Sequence, residues 1–164
     1  MRNDAGGAMD AVSIQDEPAL RLAAMAHQGP YTGIGAVFEH LMAWGVGRGL
    51  VGPETRFIGL FLDDPANVPA ERLRSNACMT VPEGVATRGE GVRVIFPRAQ
   101  RLAVTLFRGP YAELPAAYDR IRTWMAAQGL EADRFEPCRE EYLNDCRALP
   151  PAEWLTRVMV PLKG

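Results

Sequence analysis

Apolar and polar positions follow two different periods along this chain, and the same order of periods occurs twice. Between residues 114 and 124 the apolar side chains recur every three or four positions, at Leu114, Ala117, Tyr118, Ile121 and Trp124. This spacing predicts an amphipathic helix. A second helix is predicted eighty positions earlier, with an apolar face formed by Ile34, Val37, Phe38, Leu41 and Trp44.

Short apolar segments on both sides of each helix indicate strands. The predicted strands are residues 20–27, 57–64 and 73–81 in the first half of the chain, and residues 102–107, 138–145 and 155–160 in the second. Each half is therefore strand, helix, strand, strand, and residues 92–96 are expected to add one more strand. Two such halves predict an α+β fold with a largely antiparallel sheet, two main helices and a cleft at the pseudo-twofold seam.

The repeat is also visible in the residues themselves. QGPYTGIGAVFEHLMAWGVGRGL at residues 28–50 aligns without a gap with RGPYAELPAAYDRIRTWMAAQGL at residues 108–130. After the helix the similarity resumes at an offset of eighty-one, where FIGLFLDD at 57–64 matches CREEYLND at 138–145. A fixed offset of this kind predicts two copies of one structural unit.

The repeat sets the expected domain boundaries. One domain is predicted over residues 18–164, with halves at about 18–82 and 92–162, after a disordered N-terminal extension at residues 1–17. Seventeen residues are too few for a helix-turn-helix domain, which needs several helices. We therefore expect a stand-alone module that does not bind DNA directly.

Composition narrows the choice of partners. The chain has 164 residues, 48% of them hydrophobic and 23% charged, and its formal net charge is −2. This predicts a globular domain without the strong positive field that attracts nucleic acid or anionic membranes. The sequence shows no signal peptide and no long apolar segment, so we expect a cytoplasmic protein. Its three cysteines include no C-x-x-C pair, and we expect no metal and no cofactor.

The two halves differ most clearly in the predicted strand at residues 138–145. Alternation along a strand places Cys138, Glu140 and Tyr142 on one face. In the first half, the position of Glu140 is taken by Gly59 and that of Tyr142 by Phe61. Glu140 therefore stands where its counterpart strand has no side chain.

The next residue, Glu141, is expected at a solvated position beside Arg139. Glu140 instead faces a helix layer that contains aromatic side chains. A partly desolvated carboxylate without a basic neighbour takes up a proton or attracts a cation, and aromatic faces strengthen the attraction. The predicted ligand is a lipophilic, aromatic and often cationic small molecule, and the candidate binding residues are Glu140, Tyr142, Phe38, Phe61, Tyr111, Tyr118 and Gly59.

Several motifs resemble those of a known family. They are HQGPY at 27–31, FRGPY at 107–111, EEYLND at 140–145 and VMVPL at 158–162. In this order they are similar to the GyrI-like small-molecule-binding domains, which include gyrase inhibitors and the effector-binding domains of AraC-type and MerR-type regulators. The resemblance covers nearly the whole chain from residue 18.

This resemblance implies a tandem strand-helix-strand-strand fold whose central acidic residue, matched by Glu140, pairs with cationic drugs. Tyr142 would then line the same cleft. Two positions depart from the family pattern: Glu141 replaces the usual apolar residue, which leaves Glu141 open as the ligand's partner, and Cys146 replaces the usual proline.

Three functions are compatible with the sequence. The favoured hypothesis is a binding module that senses or sequesters amphipathic toxic compounds. The second is a hydrolase of cyclopropane-containing genotoxins, in which Glu140 would orient or deprotonate water and Tyr142 would hydrogen-bond the developing phenolate. The third is a gyrase-inhibitor-type module that engages a protein partner, such as gyrase or a transcription regulator.

Overall fold

A computed structural model of the chain describes residues 8–164. These residues form two compact units. The first unit is Pro18–Ala99, and the second unit combines residues 8–17 with Gln100–Gly164.

Nine strands and two α-helices make up the described part of the chain. In chain order the strands are β1 (Ala8–Met9), β2 (Ser13–Glu17), β3 (Leu22–Gln28), β4 (Phe57–Phe61), β5 (Arg74–Thr80), β6 (Arg93–Ile95), β7 (Gln100–Arg108), β8 (Cys138–Tyr142) and β9 (Leu155–Pro161). The helices are α1 (Ile34–Gly47) and α2 (Leu114–Ala127). A single 3-10 turn leads directly into each helix, at Tyr31–Gly33 and Tyr111–Glu113.

Both units contain the predicted strand, helix, strand, strand order. In the first unit the antiparallel order is β4, β5, β3, β6, so the predicted additional strand at the end of this unit is present. In the second unit β8 pairs with β9 and β9 with β7, again antiparallel, and β1 and β2 both pair with β7. The predicted α+β class with a largely antiparallel sheet is confirmed.

The N-terminal segment differs from the sequence-based prediction. We expected a disordered extension through residue 17, but β2 pairs with β7 from Ser13, opposite Val104, to Glu17, opposite Gln100. Residues 1–7 lie outside the described part of the chain. The strand SIQDE is mostly polar and exposed, and backbone hydrogen bonds to β7 define it, which explains why its side-chain pattern gives little signal.

Helix α2 covers the core of the second unit. Its buried residues recur on one face and pack against β7 and β9; they are Leu114, Ala117, Ile121 and Met125. Pro115 is accommodated in the first turn, where its missing N–H leaves no bond unmade. Gly129 follows the end of the helix, and its φ of +68° allows Leu130 to donate its N–H to the Met125 carbonyl at 2.9 Å.

Helix α1 occupies the equivalent place in the first unit and buries Ile34, Leu41 and Gly45. Gly45 packs closely against β5: a Cβ at this position would lie 2.8 Å from the sulfur of Met79, so the end of the Met79 side chain would have to move. Each helix has 14 residues, and within residues 8–164 no helix is long and apolar enough to cross a membrane.

Candidate functional site

The candidate site is built around a buried carboxylate in the second unit. Strand β8 places Glu140 opposite Val158, a residue of the apolar cluster beneath α2, and leaves Glu140 only 8% exposed. Two tyrosine hydroxyls donate hydrogen bonds to it. The Tyr118 hydroxyl, from α2, donates to Oε2 at 2.7 Å, and the Tyr142 hydroxyl, from the same strand, donates to Oε1 at 2.9 Å.

The charge of Glu140 has no protein counterion in the described structure. No Arg, Lys or His within residues 8–164 forms an ion pair with this carboxylate, whose recorded partners are the two hydroxyls. Burial raises the pKa of Glu140, and the hydrogen bonds from Tyr118 and Tyr142 only partly oppose this shift. The site therefore holds a carboxylate that favours either a proton or a cation.

The surrounding tyrosines remain hydrogen-bond donors. Burial raises the pKa of Tyr118 and of Tyr142 well above the ordinary value, and the nearby negative charge of Glu140 adds to the shift. Both hydroxyls therefore keep their protons at neutral pH. The guanidinium carbon of Arg122 lies 5.7 Å from the centre of the Tyr118 ring, so one face of this ring is already in contact with a cation.

Two further aromatic rings continue from Tyr142. Tyr111, in the turn before α2, contacts Tyr142 edge to face, with ring centres 5.3 Å apart. On its other side Tyr111 packs against Trp154 at 4.4 Å, with the ring planes inclined by 32°. Sequence analysis identified Tyr111 but missed Trp154, because Trp154 lies outside the aligned repeat segments.

The neighbouring acidic residue has a different environment. Glu141 points to the opposite side of β8, but it is only 6% exposed, so the expectation of a solvated position was wrong. Its carboxylate forms an ion pair at 3.1 Å with Arg157 of β9, which also pairs with Glu17 at 3.1 Å. Glu141 and Arg157 are direct cross-strand partners in β8 and β9, so the contact follows from a pairing that the local sequence pattern does not specify.

Three of the candidate residues belong to the first unit. Phe61 is 9% exposed within the apolar cluster beneath α1, and Phe38 packs against the same cluster. The ring of Phe61 contacts Tyr31 edge to face, with centres 4.9 Å apart. Gly59 lies on β4 opposite Ala77. Of the seven predicted residues, the second unit thus brings together Glu140, Tyr142, Tyr118 and Tyr111.

Other reactive groups lie near this site. Cys138 is partly buried against the apolar cluster beneath α2, and Cys146 is exposed. Within residues 8–164, no group of three His, Cys, Asp or Glu side chains is arranged to hold a metal ion. The chemistry visible at the site is therefore that of one carboxylate, phenol and indole groups, and a thiol.

Comparison with known proteins identifies the family. The family sequence model of the GyrI-like small-molecule-binding domain matches residues 10–163, which is nearly the whole chain. The chain belongs to the GyrI-like family. Among curated proteins, a DNA gyrase inhibitor from Edwardsiella piscicida is 32% identical over 163 residues, covering 93% of this chain and 97% of the relative.

Solved structures share the GyrI-like fold at low sequence identity. The C-terminal domain of EcmrR has a TM-score of 0.79 at 16% identity, over 93% of this chain and 97% of that domain. The match spans 57% of the EcmrR chain in its complex with DNA. SAV2435 bound to tetraphenylphosphonium has a TM-score of 0.65 at 14% identity, over 94% of this chain and 95% of that chain. At these identities the structural matches show the shared fold.

The two departures from the GyrI-like motif now have a structural description. Glu141, which replaces an apolar residue, is held by Arg157, and Glu140 is the carboxylate bonded by tyrosines. Cys146, which replaces a proline, lies in an exposed turn that is closed by a hydrogen bond from the Ala148 N–H to the Asp145 carbonyl. Alternation along β8 therefore separates the two acidic residues, as expected for adjacent positions in a strand.

Proposed function

We propose that this GyrI-like domain binds lipophilic aromatic cations with Glu140 as their counter-charge, and that it senses or sequesters such compounds. The observation that carries this proposal is the environment of Glu140. Its carboxylate is buried, receives two hydrogen bonds from tyrosines, and has no basic partner within residues 8–164. A cation that reaches it supplies the charge that residues 8–164 do not provide.

The aromatic groups favour one class of cation. Tyr111, Tyr118 and Tyr142 surround or adjoin the carboxylate, and each is partly buried. A small hydrated cation would lose its water without gaining apolar contacts, whereas a lipophilic cation buries its own surface against these rings. Contact between a cation and an aromatic face contributes about 0.5 to 2 kcal/mol as solvent is excluded.

The family and one structural neighbour support the same class of ligand. The GyrI-like model is described as a small-molecule-binding domain. SAV2435, which shares the fold, was solved with tetraphenylphosphonium bound. Tetraphenylphosphonium is a lipophilic cation surrounded by four phenyl rings, so it is a suitable first probe for the Glu140 site.

The test is a calorimetric titration of the protein with tetraphenylphosphonium. We expect the wild-type protein to bind it and Glu140→Gln to bind at least about tenfold more weakly, since about 1.4 kcal/mol is lost per tenfold change. Glu131→Gln is the matched control, because Glu131 is an exposed glutamate of the same unit, paired at 3.3 Å with Lys163. The control should bind as the wild type does.

A neutral ligand separates charge from hydrophobic contact. Triphenylphosphine oxide has three of the phenyl rings without the net charge, and its affinity should change less than twofold in Glu140→Gln, an estimate of about 0.4 kcal/mol. Equal loss of affinity for both ligands would contradict a counter-charge role for Glu140. Catalytic consumption of an electrophilic cyclopropane by the wild type, but not by Glu140→Gln or Tyr142→Phe, would instead support the hydrolase hypothesis.

Gyrase inhibition is a second candidate function, and the specific observation in its favour is the relative from Edwardsiella piscicida. That protein is named a DNA gyrase inhibitor and aligns over 97% of its length. A supercoiling assay with purified gyrase tests this candidate. Inhibition that persists in Glu140→Gln would indicate a protein-binding surface separate from the Glu140 site, and no inhibition by the wild type would exclude gyrase as the target in this assay.

A further inference from the structure

Trp154 is held in a fixed position beside the Glu140 site. Its ring packs against Tyr111, whose opposite contact is with Tyr142, and Tyr142 donates its hydroxyl hydrogen bond to Glu140. Trp154 is thus the outermost member of a continuous series of contacts that ends at the carboxylate. Within residues 8–164 the hydrogen bonds to Glu140 come from Tyr118 and Tyr142 and not from Trp154, so any effect of Trp154 on the site passes through Tyr111 and Tyr142.

Hydrogen bonds fix the orientation of this indole. Its Nε1–H donates to the carbonyl of Leu149 at 2.9 Å and lies 3.2 Å from the carbonyl of Cys146. The backbone carbonyl of Trp154 accepts a hydrogen bond from the Gly109 N–H at 2.9 Å. Gly109 is two residues before Tyr111, so Trp154 is connected to the Tyr111 turn by its backbone and by its ring.

The first unit fixes its equivalent tyrosine in another way. The Tyr31 hydroxyl donates to the Asp63 carbonyl at 2.7 Å and accepts the Asp63 N–H at 3.0 Å. At the position equivalent to Trp154, eighty-one residues earlier, the first unit has Leu73. Tyr31 is therefore held through its hydroxyl group, whereas Tyr111 is held through its ring.

We propose that Trp154 is a positioning residue that holds the Tyr111 ring against Tyr142 and so shapes the aromatic wall of the Glu140 site. This proposal rests on the proposed function for its effect on ligand affinity. Its structural part, the restraint on Tyr111, is independent of any ligand. The two parts can therefore be tested separately.

The experiment compares Trp154→Leu, Trp154→Phe and the control Trp44→Phe. Leu is the residue of the first unit, and Phe keeps an aromatic ring but removes the indole N–H. Trp44 belongs to the first unit, where its indole donates to Glu90 at 2.6 Å. The readouts are the affinity for tetraphenylphosphonium and the rate of nitration of individual tyrosines by tetranitromethane, located by peptide mass spectrometry.

Nitration is sensitive to the restraint because the reagent attacks the phenolate. Burial raises the pKa of Tyr111, which keeps its phenolate scarce in the wild type. In Trp154→Leu we expect nitration of Tyr111 to rise about fivefold with Tyr31 unchanged, and affinity for tetraphenylphosphonium to fall about fivefold, the order that one aromatic pair contributes. Trp154→Phe should restore both to within about twofold of the wild type, and Trp44→Phe should change neither.

The outcomes distinguish this proposal from the proposed function. If Tyr111 is nitrated at the same rate in Trp154→Leu as in the wild type, the positioning role is overturned, whatever the ligand result. The positioning role is also overturned if Tyr31 and Tyr111 are both nitrated faster in Trp154→Leu and Trp154→Phe does not restore the wild-type rates. That result would indicate general unfolding. A third outcome is faster nitration of Tyr111 alone in Trp154→Leu, with no binding of tetraphenylphosphonium by the wild type. This outcome would support the restraint on Tyr111 and contradict the proposed ligand class.

Discussion

The two units of this protein place equivalent side chains in the same order but give them opposite polarity. In the first unit the series is Phe38, Gly59 and Phe61, in an apolar environment beneath α1. In the second unit it is Tyr118, Glu140 and Tyr142, joined by two hydrogen bonds. Both units keep an edge-to-face aromatic contact to the tyrosine before the helix, at 4.9 Å in the first and 5.3 Å in the second.

In the second unit the buried carboxylate occurs together with two hydrogen-bond donors that the first unit lacks. Changing Gly59 to glutamate would introduce the carboxyl group into the first unit. Changing Phe38 and Phe61 to tyrosine would introduce the hydroxyls that donate hydrogen bonds to it. All three changes distinguish the second unit from the first. A buried charge without hydrogen-bonding partners costs several kcal/mol, so the three polar groups are best understood as one arrangement.

The largest expected effect comes from placing the acid alone in the first unit. Gly59→Glu should lower the free energy of unfolding by about 3 kcal/mol, because by equivalence with Glu140 the new carboxyl group would face Phe38 and Phe61, which donate no hydrogen bond. Chemical denaturation monitored by circular dichroism measures this change.

The matched variant adds the missing donors. Gly59→Glu combined with Phe38→Tyr and Phe61→Tyr should recover at least about 1 kcal/mol of the loss, as expected for two hydrogen bonds to a charged group. If the triple variant is no more stable than Gly59→Glu alone, the second unit's tyrosines are not what makes its carboxylate tolerable.

A smaller effect should separate the two tyrosines that precede the helices. Tyr31→Phe should lower the free energy of unfolding by about 1.5 kcal/mol, because it removes the bonds between the hydroxyl and the Asp63 backbone. Tyr111→Phe should cost less than about 0.5 kcal/mol, because the Tyr111 hydroxyl lies beside the thiol of Cys146, a weak hydrogen-bonding partner. Thermal and chemical denaturation check both, and equal losses would contradict the distinction.

The sequence was sufficient to predict both helices, the strands next to them and the opposite faces of Glu140 and Glu141 on β8. Apolar spacing predicted both helices and their flanking strands, and alternation along β8 separated Glu140 from Glu141. Gly59, at the equivalent position in the first half, marked Glu140 as the informative residue. These features could be predicted because each depends on a local period that packing in the folded protein preserves.

Contacts between distant segments could not be predicted in this way. Strand β2 is defined by pairing with β7, which is more than eighty residues away in sequence. The burial of Glu141 depends on Arg157 of the neighbouring strand, and the role of Trp154 depends on its contact with Tyr111. Each of these requires knowing which segments are adjacent, which the local pattern does not specify.

A stability effect of the opposite sign should come from neutralising the acid of the second unit. Burial raises the pKa of Glu140 above its ordinary value of 4.5. The native state therefore binds more protons than the unfolded state between the ordinary pKa and the raised one, and stability falls as pH rises through this interval. Glu140→Gln should be more stable than the wild type above the interval, by about 1 kcal/mol, which is common for substitutions that relieve strain at a functional site.

Denaturation at several pH values checks this sign. The advantage of Glu140→Gln should shrink toward zero below pH 4.5, where the carboxyl group is protonated in both the native and the unfolded state. A Glu140→Gln protein that is less stable than the wild type at neutral pH would show that the carboxylate is stabilised by its surroundings.

The pH dependence of tetraphenylphosphonium binding tests the central claim most directly. The account predicts that wild-type affinity increases as pH rises through the ionisation of Glu140 and then becomes constant, since the cation binds the carboxylate form. In Glu140→Gln the affinity should be low and independent of pH over the same interval. Equal affinity in the two proteins, with the same pH dependence, would contradict Glu140 as the counter-charge of the ligand.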